Sequence, residues 1–222
     1  MEKNILKNIE EHLLNDEIPS TYLKEIRSSL KDTPLEIVLR LKGTMQNPEF
    51  HPEGDVWNHT LEVVDIAAKL REFANNKEAF MLATFFHDIG KITTTKKNKQ
   101  GRWISYNHDT EGEKIIREIL DNYDINENKK EIIINLAKYH MHHIYINKDL
   151  PFGKPEAMIK TVDMNDMLLM FLSDKLGRGQ KEKDKKMKEI EEVKSILEKL
   201  KNNNQLNFPK ESEFFEKIIK KL

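Results

Sequence analysis

The segment from Glu78 to Asp88 constrains the fold of this chain more than any other feature of its sequence. Its apolar residues, at positions 79, 80, 82, 83, 85 and 86, are spread around the whole circumference of a helix. A helix that is apolar on every side has to be surrounded by other elements of the protein. The segment therefore predicts a helix at the centre of the core, and it places His87 and Asp88 at the end of that helix.

The remaining sequence has the periodicity of helices. Apolar residues recur at helical spacing, strand-type alternation is scarce, and only eight glycines and seven prolines occur among 222 residues. We predict further helices over 4–14, 22–30, 33–41, 55–73, 110–120, 126–139, 163–176 and 181–201, and a short one after Pro209. Two of these helices open on capping boxes, Thr33–Glu36 and Thr110–Glu113. The segments 96–102 and 151–155 predict surface loops, and the fold class is all-α.

The composition changes after Gly177 and Gly179, where a highly charged segment begins. Within 181–201 the apolar residues form a single stripe, which consists of Met187, Ile190, Val193, Leu197 and Leu200. Such a stripe is typical of an amphipathic helix laid on the body of the protein, or of a seam between two copies in a dimer. The sequence leaves both alternatives open and favours the first.

Composition and charge exclude several classes of function. The chain has no cysteine, which excludes disulfides, thiolate metal sites and a cysteine nucleophile. Its 37 basic and 38 acidic residues give a net charge of −1, which argues against general electrostatic capture of nucleic acid but leaves room for a local basic patch. No apolar run approaches the ~20 residues of a membrane span, and the first residues lack a signal-peptide core. We therefore expect a cytoplasmic protein without a membrane partner.

Histidines and aspartates cluster at positions that suggest a metal site. His87 and Asp88 end the most apolar helix, and Asp174 lies inside another apolar helix, where an unpaired carboxylate would be costly to bury. Without a metal, we expect the carboxylates of Asp88 and Asp174 to repel each other. Histidine and carboxylate ligands without sulfur suit Mn, Fe, Ni, Co, Mg or Zn. The residues alone thus indicate one or two divalent metal ions held between helices, in a site of the hydrolytic kind.

Four segments carry a resemblance to a known family. Phe86–Lys91 reads FHDIGK and resembles the histidine–aspartate signature of the HD-domain phosphohydrolase superfamily. The segments His51–Thr60, Gly101–Asp109 and Ser173–Gly179 resemble, in the same order, the HD domain of bacterial CCA-adding tRNA nucleotidyltransferases. The resemblance implies an HD-type helical bundle over residues 45–179, with helical additions at 1–44 and 180–222.

The resemblance also implies a ligand set. His59, His87, Asp88 and Asp174 correspond to the core metal ligands, and Asp88 to the carboxylate that bridges if two metals bind. His108 and His140 correspond to the additional histidines of two-metal members, with substrate contact as the alternative. The adjacent residues His142 and His143 are less defined, because consecutive side chains on one helix point in different directions, so we expect at least one of them to face solvent.

Two basic residues are candidate catalytic groups beside Asp88. Lys91 and Arg178 are placed to meet the charge of a phosphate. The alternatives are a solvated lysine that stabilises a helix end and an arginine in an ordinary ion pair.

Four aromatic or histidine residues have simpler expectations. Trp103 is a candidate for stacking on a base, whereas Trp57 is expected in the core. His51 is expected near the mouth of the site, and His12 is expected to be structural or exposed.

These features predict a divalent-metal-dependent phosphohydrolase that acts on nucleotide or nucleic-acid-end phosphates, and we favour 2′,3′-cyclic or terminal ones. HD phosphoesterase modules of end-healing enzymes offer a parallel, but the chain has no P-loop, so a kinase would be a separate chain. The 44 residues before Met45 are too few for a nucleotidyltransferase domain, so we do not expect CCA addition. The chain also lacks the Gly-Tyr-Pro segment of cyclic-di-GMP phosphodiesterases and the acidic pair of ppGpp hydrolases. The alternative is a non-catalytic module that keeps the HD fold and binds tRNA or another nucleic acid.

Overall fold

The structure is a computed structural model that describes residues 5–179, 182–203 and 211–222. Almost all of its regular structure is helical, as the sequence predicts. The α-helices of these ranges are, in chain order, α1 Ile5–Asn15, α2 Pro19–Ile26, α3 Val56–Leu70, α4 Lys77–Phe86, α5 Lys91–Thr94, α6 His108–Leu120, α7 Glu127–Tyr139, α8 His142–Asn147, α9 Pro155–Thr161, α10 Met164–Leu176, α11 Lys183–Asn203 and α12 Glu211–Lys221. Shorter 3₁₀ segments cover Arg27–Leu30, Glu36–Leu41 and Arg71–Phe73.

Helix α4 is the central helix that its sequence predicts. Every residue from Ala79 to Phe86 is buried. The helix packs against α1, α3, α7 and α10, so apolar side chains on all of its faces find neighbours. The all-α fold class is confirmed. The C-terminal end of α4 points its next two residues, His87 and Asp88, into the middle of the bundle, where both are buried.

The local structure differs from the sequence prediction at four places. The capping box at Thr33 precedes a 3₁₀ segment and not an α-helix. Helix α6 begins at His108, before the second box, because Asn107 adopts a left-handed conformation with φ 60° that turns the chain. Residues 142–147 and 155–161 form the short helices α8 and α9. The predicted loop 96–102 contributes to an antiparallel hairpin of strands β1 Lys96–Lys97 and β2 Trp103–Ile104.

The charged C-terminal segment folds back onto the domain. Helix α11 packs against α8 and α10, and Ile190, Val193, Leu197 and Leu200 of its stripe are buried there. The stripe is covered within the same chain, so it is not available as the dimer seam that the sequence left open. Pro209, after which the sequence predicts a short last helix, lies outside the described residues.

Within the described ranges, no helix combines the length and the apolar character needed to cross a bilayer.

Candidate metal centre

Six helices bring buried histidines and aspartates to one point in the bundle. His59 lies in the first turn of α3, His87 and Asp88 directly follow α4, and His108 is the first residue of α6. His140 directly follows α7, His143 lies on α8, and Asp174 lies in the last turn of α10. Each of these side chains is nearly inaccessible to solvent. The bundle therefore buries an unusual concentration of ionisable groups in its interior.

Two glycines allow the close helix contacts that bring these groups together. A Cβ on Gly90 would lie 2.0 Å from the carbonyl oxygen of His108 and 2.5 Å from the backbone nitrogen of Gly112. A Cβ on Gly177 would lie 2.8 Å from Cα of Val63. The first contact holds the start of α6 against the turn after Asp88. The second holds the end of α10 against α3, so that side chains of these helices meet.

The imidazole rings are oriented by their Nδ1 atoms. Nδ1 of His87 donates to the carbonyl of Thr84 at 2.8 Å, and Nδ1 of His108 donates to the carbonyl of Ser105 at 2.6 Å. Nδ1 of His140 donates to the carbonyl of Ala137 in the same way. An imidazole that carries its hydrogen on Nδ1 keeps the lone pair on Nε2, and this is the form that binds metals. Three rings thus present the lone pair of Nε2 towards the cluster.

These Nε2 atoms form two pairs, one at each oxygen of Asp88. On one side, the Nε2 atoms of His59 and His87 are 3.2 Å apart and lie 3.5 and 3.3 Å from Oδ2 of Asp88. On the other side, the Nε2 atoms of His108 and His140 are 3.1 Å apart and lie 3.3 and 3.4 Å from Oδ1. The carboxylate of Asp88 therefore stands between two pairs of imidazoles.

Asp174 completes the side of His59. Its Oδ1 lies 3.1 Å from Nε2 of His59, and its Oδ2 accepts from Nε2 of His143 at 2.9 Å. Arg178, one turn further along the chain, donates to both carboxylate oxygens, with Nη2–Oδ2 at 2.6 Å and Nε–Oδ1 at 3.3 Å. The arginine thus fixes the plane of the carboxylate, since its fork matches the two oxygens.

Each of the two buried carboxylates has its own cation. Burial alone would raise the pKa of Asp88, but Lys91, with Nζ 2.7 Å from Oδ2, and the nearby imidazoles hold this pKa well below its usual range. Burial would also raise the pKa of Asp174. Arg178, together with His143 and His59, outweighs this effect and holds the pKa of Asp174 well below its usual range. The expectation that the two carboxylates repel each other is therefore corrected, because each of them has a partner of opposite charge that screens it.

The donor set fits divalent metal ions. Oδ1 of Asp88 is buried and has no hydrogen-bond partner in the described part of the chain, although two imidazoles face it. Two nitrogen lone pairs 3.1 Å apart cannot satisfy each other, so His108, His140 and this oxygen need a cation or proton between them. Three groups of side chains have ligand atoms close enough to one another for a metal ion: His59–His87–Asp88, Asp88–His108–His140 and His51–Glu53–His59.

Glu53 is a member of this constellation that sequence reasoning missed. Its Oε1 lies 2.9 Å from Nδ1 of His51 and 2.8 Å from Nδ1 of His59. Burial opposes the ionisation of Glu53, but the two imidazoles outweigh it and lower its pKa to about 2. Glu53 therefore orients His59 from behind, as carboxylates do for metal-binding histidines. Its position two residues after His51, in an irregular loop, carried no periodic signal.

A cavity of about 640 Å³ opens above this cluster. Asp88, Lys91, His108, His140, His143, Asp174 and Arg178 lie in its wall, together with His51 and Trp103. The placement of His51 agrees with the sequence prediction, whereas the stacking of Trp103 on a base stays a prediction. Lys91 is buried in the wall and donates to Asp88 and to Oε1 of Gln46, so the alternative of a solvated helix-end lysine is wrong.

The remaining predicted positions have mixed outcomes. Trp57 is in the core, as expected, and lies beside Arg27. His12 is partly exposed and stacks on Tyr22. His142 and His143 are both buried, so the expectation that at least one faces solvent is wrong. The chain turns after α7 and starts a new helix, and the expectation assumed a single continuous helix.

Comparison with known proteins agrees with this geometry. The curated relatives include the multifunctional CCA protein of Actinobacillus pleuropneumoniae serotype 5b (strain L20), which is 34% identical over 128 residues that cover 58% of this chain and 29% of the relative. The multifunctional CCA protein of Mannheimia succiniciproducens is 30% identical over 149 residues, which cover 62% of this chain and 34% of the relative. The chain spans about a third of the length of these curated relatives.

The family model of the HD domain matches residues 56–169, just over half of the chain. This range contains Asp88 and the four imidazoles that face its oxygens, and it ends within α10 before Asp174. By this match, the chain belongs to the HD-domain family.

Proposed function

We propose that the protein is a divalent-metal-dependent phosphohydrolase that acts on the phosphate esters of nucleotides or of nucleic-acid ends. The observation that carries this proposal is the position of Asp88, whose two oxygens each face a pair of imidazole Nε2 atoms. A buried carboxylate between two such pairs suits a bridging role between two metal ions.

The residues divide into two ligand groups. His59, His87, Asp88 and Asp174 would hold one ion, and His108, His140 and Asp88 would hold a second. Divalent ions in a site of this kind lower the pKa of a bound water and polarise a phosphoryl oxygen. The ligands here include no sulfur, and Mn, Fe, Ni, Co, Mg and Zn remain candidates.

Lys91 and Arg178 are the proposed charge-stabilising residues. Lys91 stands in the cavity wall next to Asp88, where its ammonium group lies within reach of a phosphate that approaches the carboxylate. Arg178 holds Asp174 in a fixed orientation and also borders the cavity. Both residues place a basic group beside a site where negative charge would accumulate on the phosphoryl oxygens in the transition state.

The size and lining of the cavity support a nucleotide-sized substrate. A volume of about 640 Å³ falls within the range of roughly 300–1,000 Å³ that small-molecule sites have. Its lining combines aromatic side chains, among them Phe50, Trp103 and Tyr106, with the polar side chains around Asp88. We favour 2′,3′-cyclic or terminal phosphates because the relatives are proteins named for CCA, the terminal sequence of tRNA.

Two measurements test this proposal. Elemental analysis of the purified protein should find at least one divalent metal per chain, or added divalent metal should restore activity after chelation. Turnover of 2′,3′-cyclic AMP should then exceed turnover of 3′,5′-cyclic AMP. A protein that carries no metal, gains no activity with any divalent ion and hydrolyses neither ester would contradict the proposal and favour a nucleic-acid-binding module without catalysis.

The variant Asp88→Asn separates a ligand from a structural carboxylate. The amide is nearly isosteric but neutral, so metal content and turnover should fall together, the latter by orders of magnitude. Asp124→Asn, at an exposed position, is the matched control and should change neither. Retention of metal and turnover by Asp88→Asn would show that the ligand assignment is wrong.

A further inference from the structure

The segment between Asp88 and Asp109 is unusual in a chain whose overall charge is balanced. Its 20 residues include five basic residues and no acidic residue. One of the five, Lys91, is committed to Asp88. The other four are Lys96, Lys97, Lys99 and Arg102, and all four are exposed. In the part of the chain that the structure describes, none of these four forms a salt bridge, whereas several exposed lysines elsewhere do.

These four cations lie on a defined hairpin. Strands β1 and β2 pair Lys96 with Ile104 and Lys97 with Trp103. The turn is held by Asn98, whose Oδ1 accepts from the backbone N–H groups of Gln100 and Arg102, both at 3.0 Å. Gly101, at φ 76°, takes the left-handed position of the turn. The cations are therefore held close together, although like charges repel.

The hairpin is joined to the candidate metal centre at both ends. Strand β1 follows α5, which begins with Lys91, and strand β2 leads to His108, which donates to the carbonyl of Ser105 at 2.6 Å. Thr95 and Ser105 close the base of the hairpin with an Oγ1–Oγ distance of 2.8 Å. A ligand on this hairpin would thus lie next to the cavity.

Aromatic side chains line the cavity on the side of the hairpin. Trp103 and Tyr106 border it from the hairpin, and Phe50 borders it from the loop before α3. Tyr106 is 70% exposed and Phe50 is 55% exposed, which is a high exposure for large aromatic side chains. Nζ of Lys97 lies 5.0 Å from the ring centre of Trp103, so a positive charge and a flat ring are presented together.

We propose that the hairpin, with Trp103 and Tyr106, binds a single-stranded nucleic acid and directs its end into the cavity above Asp88. Sites for single strands combine cations that follow the backbone with aromatic rings on which bases stack. The end of a strand can enter a concave cavity that a flat bilayer cannot. The inference rests on the proposed function only for the reaction at the strand end, since strand binding itself requires no metal.

Binding is measured with fluorescein-labelled single strands of about ten nucleotides, RNA and DNA of the same sequence, in the presence of EDTA. Four phosphate contacts predict a slope of about −2.8 in log K against log salt, so the affinity should fall about 50-fold between about 50 and 200 mM salt. The variant with Lys96, Lys97, Lys99 and Arg102 all changed to Gln should lose most of this salt dependence. RNA and DNA differ in the 2′-hydroxyl, so the two arms tell which strand is preferred, and binding of either supports the proposal.

The matched control changes Lys7, Lys24, Lys31 and Lys69 to Gln. These residues are exposed, carry the same total charge and do not border the cavity. The control should keep the affinity and the salt slope of the wild type. Equal losses in the two variants, or no binding of either strand by the wild type, would overturn the proposal. So would a hairpin variant that loses binding to phosphatidylserine vesicles and keeps its binding to single strands.

The aromatic part of the proposal has its own readout. The chain has two tryptophans, and Trp57 is buried in the core, so a bound base should quench the fluorescence of Trp103. Tyr106→Leu should weaken strand binding by about 5- to 150-fold, the loss of one stacked base. Trp103→Phe should abolish the quench and largely keep the affinity. An unchanged quench in Trp103→Phe, or full affinity in Tyr106→Leu, would show that the rings do not contact the strand.

The proposed reaction and the proposed binding site can be refuted separately. If the proposed function is wrong, the strands still bind in EDTA and no phosphate ester is hydrolysed. If the hairpin inference is wrong, free 2′,3′-cyclic AMP is still hydrolysed and the hairpin variant cleaves a strand end as well as it cleaves the free nucleotide.

Discussion

Replacement of Asp88 by asparagine should destabilise the protein in the absence of metal, by about 3 kcal/mol. Nζ of Lys91 lies 2.7 Å from Oδ2 of Asp88, and the side chains of this pair are 9% and 2% exposed. Removal of one partner of a buried ion pair costs about 3–5 kcal/mol, because the other charge stays buried. The lower value applies here, since Gln46 also accepts from Lys91 at 2.7 Å and remains in the variant.

The assay is urea unfolding in EDTA at neutral pH, followed by circular dichroism. For a chain of this length, 3 kcal/mol corresponds to a melting temperature lower by about 6–12 °C. Lys91→Met should cost a similar amount, and the double variant Asp88→Asn with Lys91→Met should be more stable than the sum of the single changes predicts, by about 2 kcal/mol or more. This coupling identifies the ion pair, and not a general loss of packing, as the origin of the effect.

The metal provides the second half of the test. A ligand that binds only the folded state stabilises it by about 2.7 kcal/mol at a hundredfold excess over its dissociation constant. The wild type should gain this stability from a bound divalent metal, and Asp88→Asn should not. If Asp88→Asn unfolds in EDTA at the same urea concentration as the wild type, or if the double variant is simply additive, the electrostatic account of this site is refuted.

Three further predictions concern residues around the centre. Gly177→Ala should destabilise the protein by about 1–3 kcal/mol, because the added Cβ would clash with the backbone of Val63. An unchanged midpoint in denaturant unfolding would contradict this prediction. Glu53→Gln should weaken metal binding by about 10- to 100-fold, because it supports His59, and titration calorimetry that finds equal affinity would exclude this role. Burial lowers the pKa of His142 from 6.5 to about 4, so its neutral form stabilises the fold above pH 6.5 and this contribution is lost as the pH falls toward 4, by up to about 3 kcal/mol. His142→Phe should therefore reduce the pH dependence of unfolding in EDTA between these values, and an unchanged pH profile would disprove the assignment.

The features that the sequence predicts well are local ones. The central position of α4 follows from its own residues, because a helix that is apolar on every side has to be surrounded by other elements. The contiguous pair His87 and Asp88 has its place at the end of this helix for the same reason. The helical fold class and the chemical type of the candidate ligands, nitrogen and oxygen without sulfur, likewise depend on composition and short-range spacing.

The arrangement around Asp88 depends on contacts between distant parts of the chain. His59 meets Asp174 across 115 positions, and this contact requires α10 to lie against α3 at Gly177. The support of His59 by Glu53 has no periodic signal, because Glu53 lies in the irregular loop before α3.

The sequence by itself determined that this chain forms a helical bundle with a buried histidine–aspartate pair at its centre. Only the tertiary structure decided which imidazoles share each oxygen of Asp88, that His142 and His143 are both buried, and that α11 packs within the chain. The physical reason is that periodicity tells which face of a helix is buried, whereas the packing of side chains at close helix contacts sets which residues then meet across the interface.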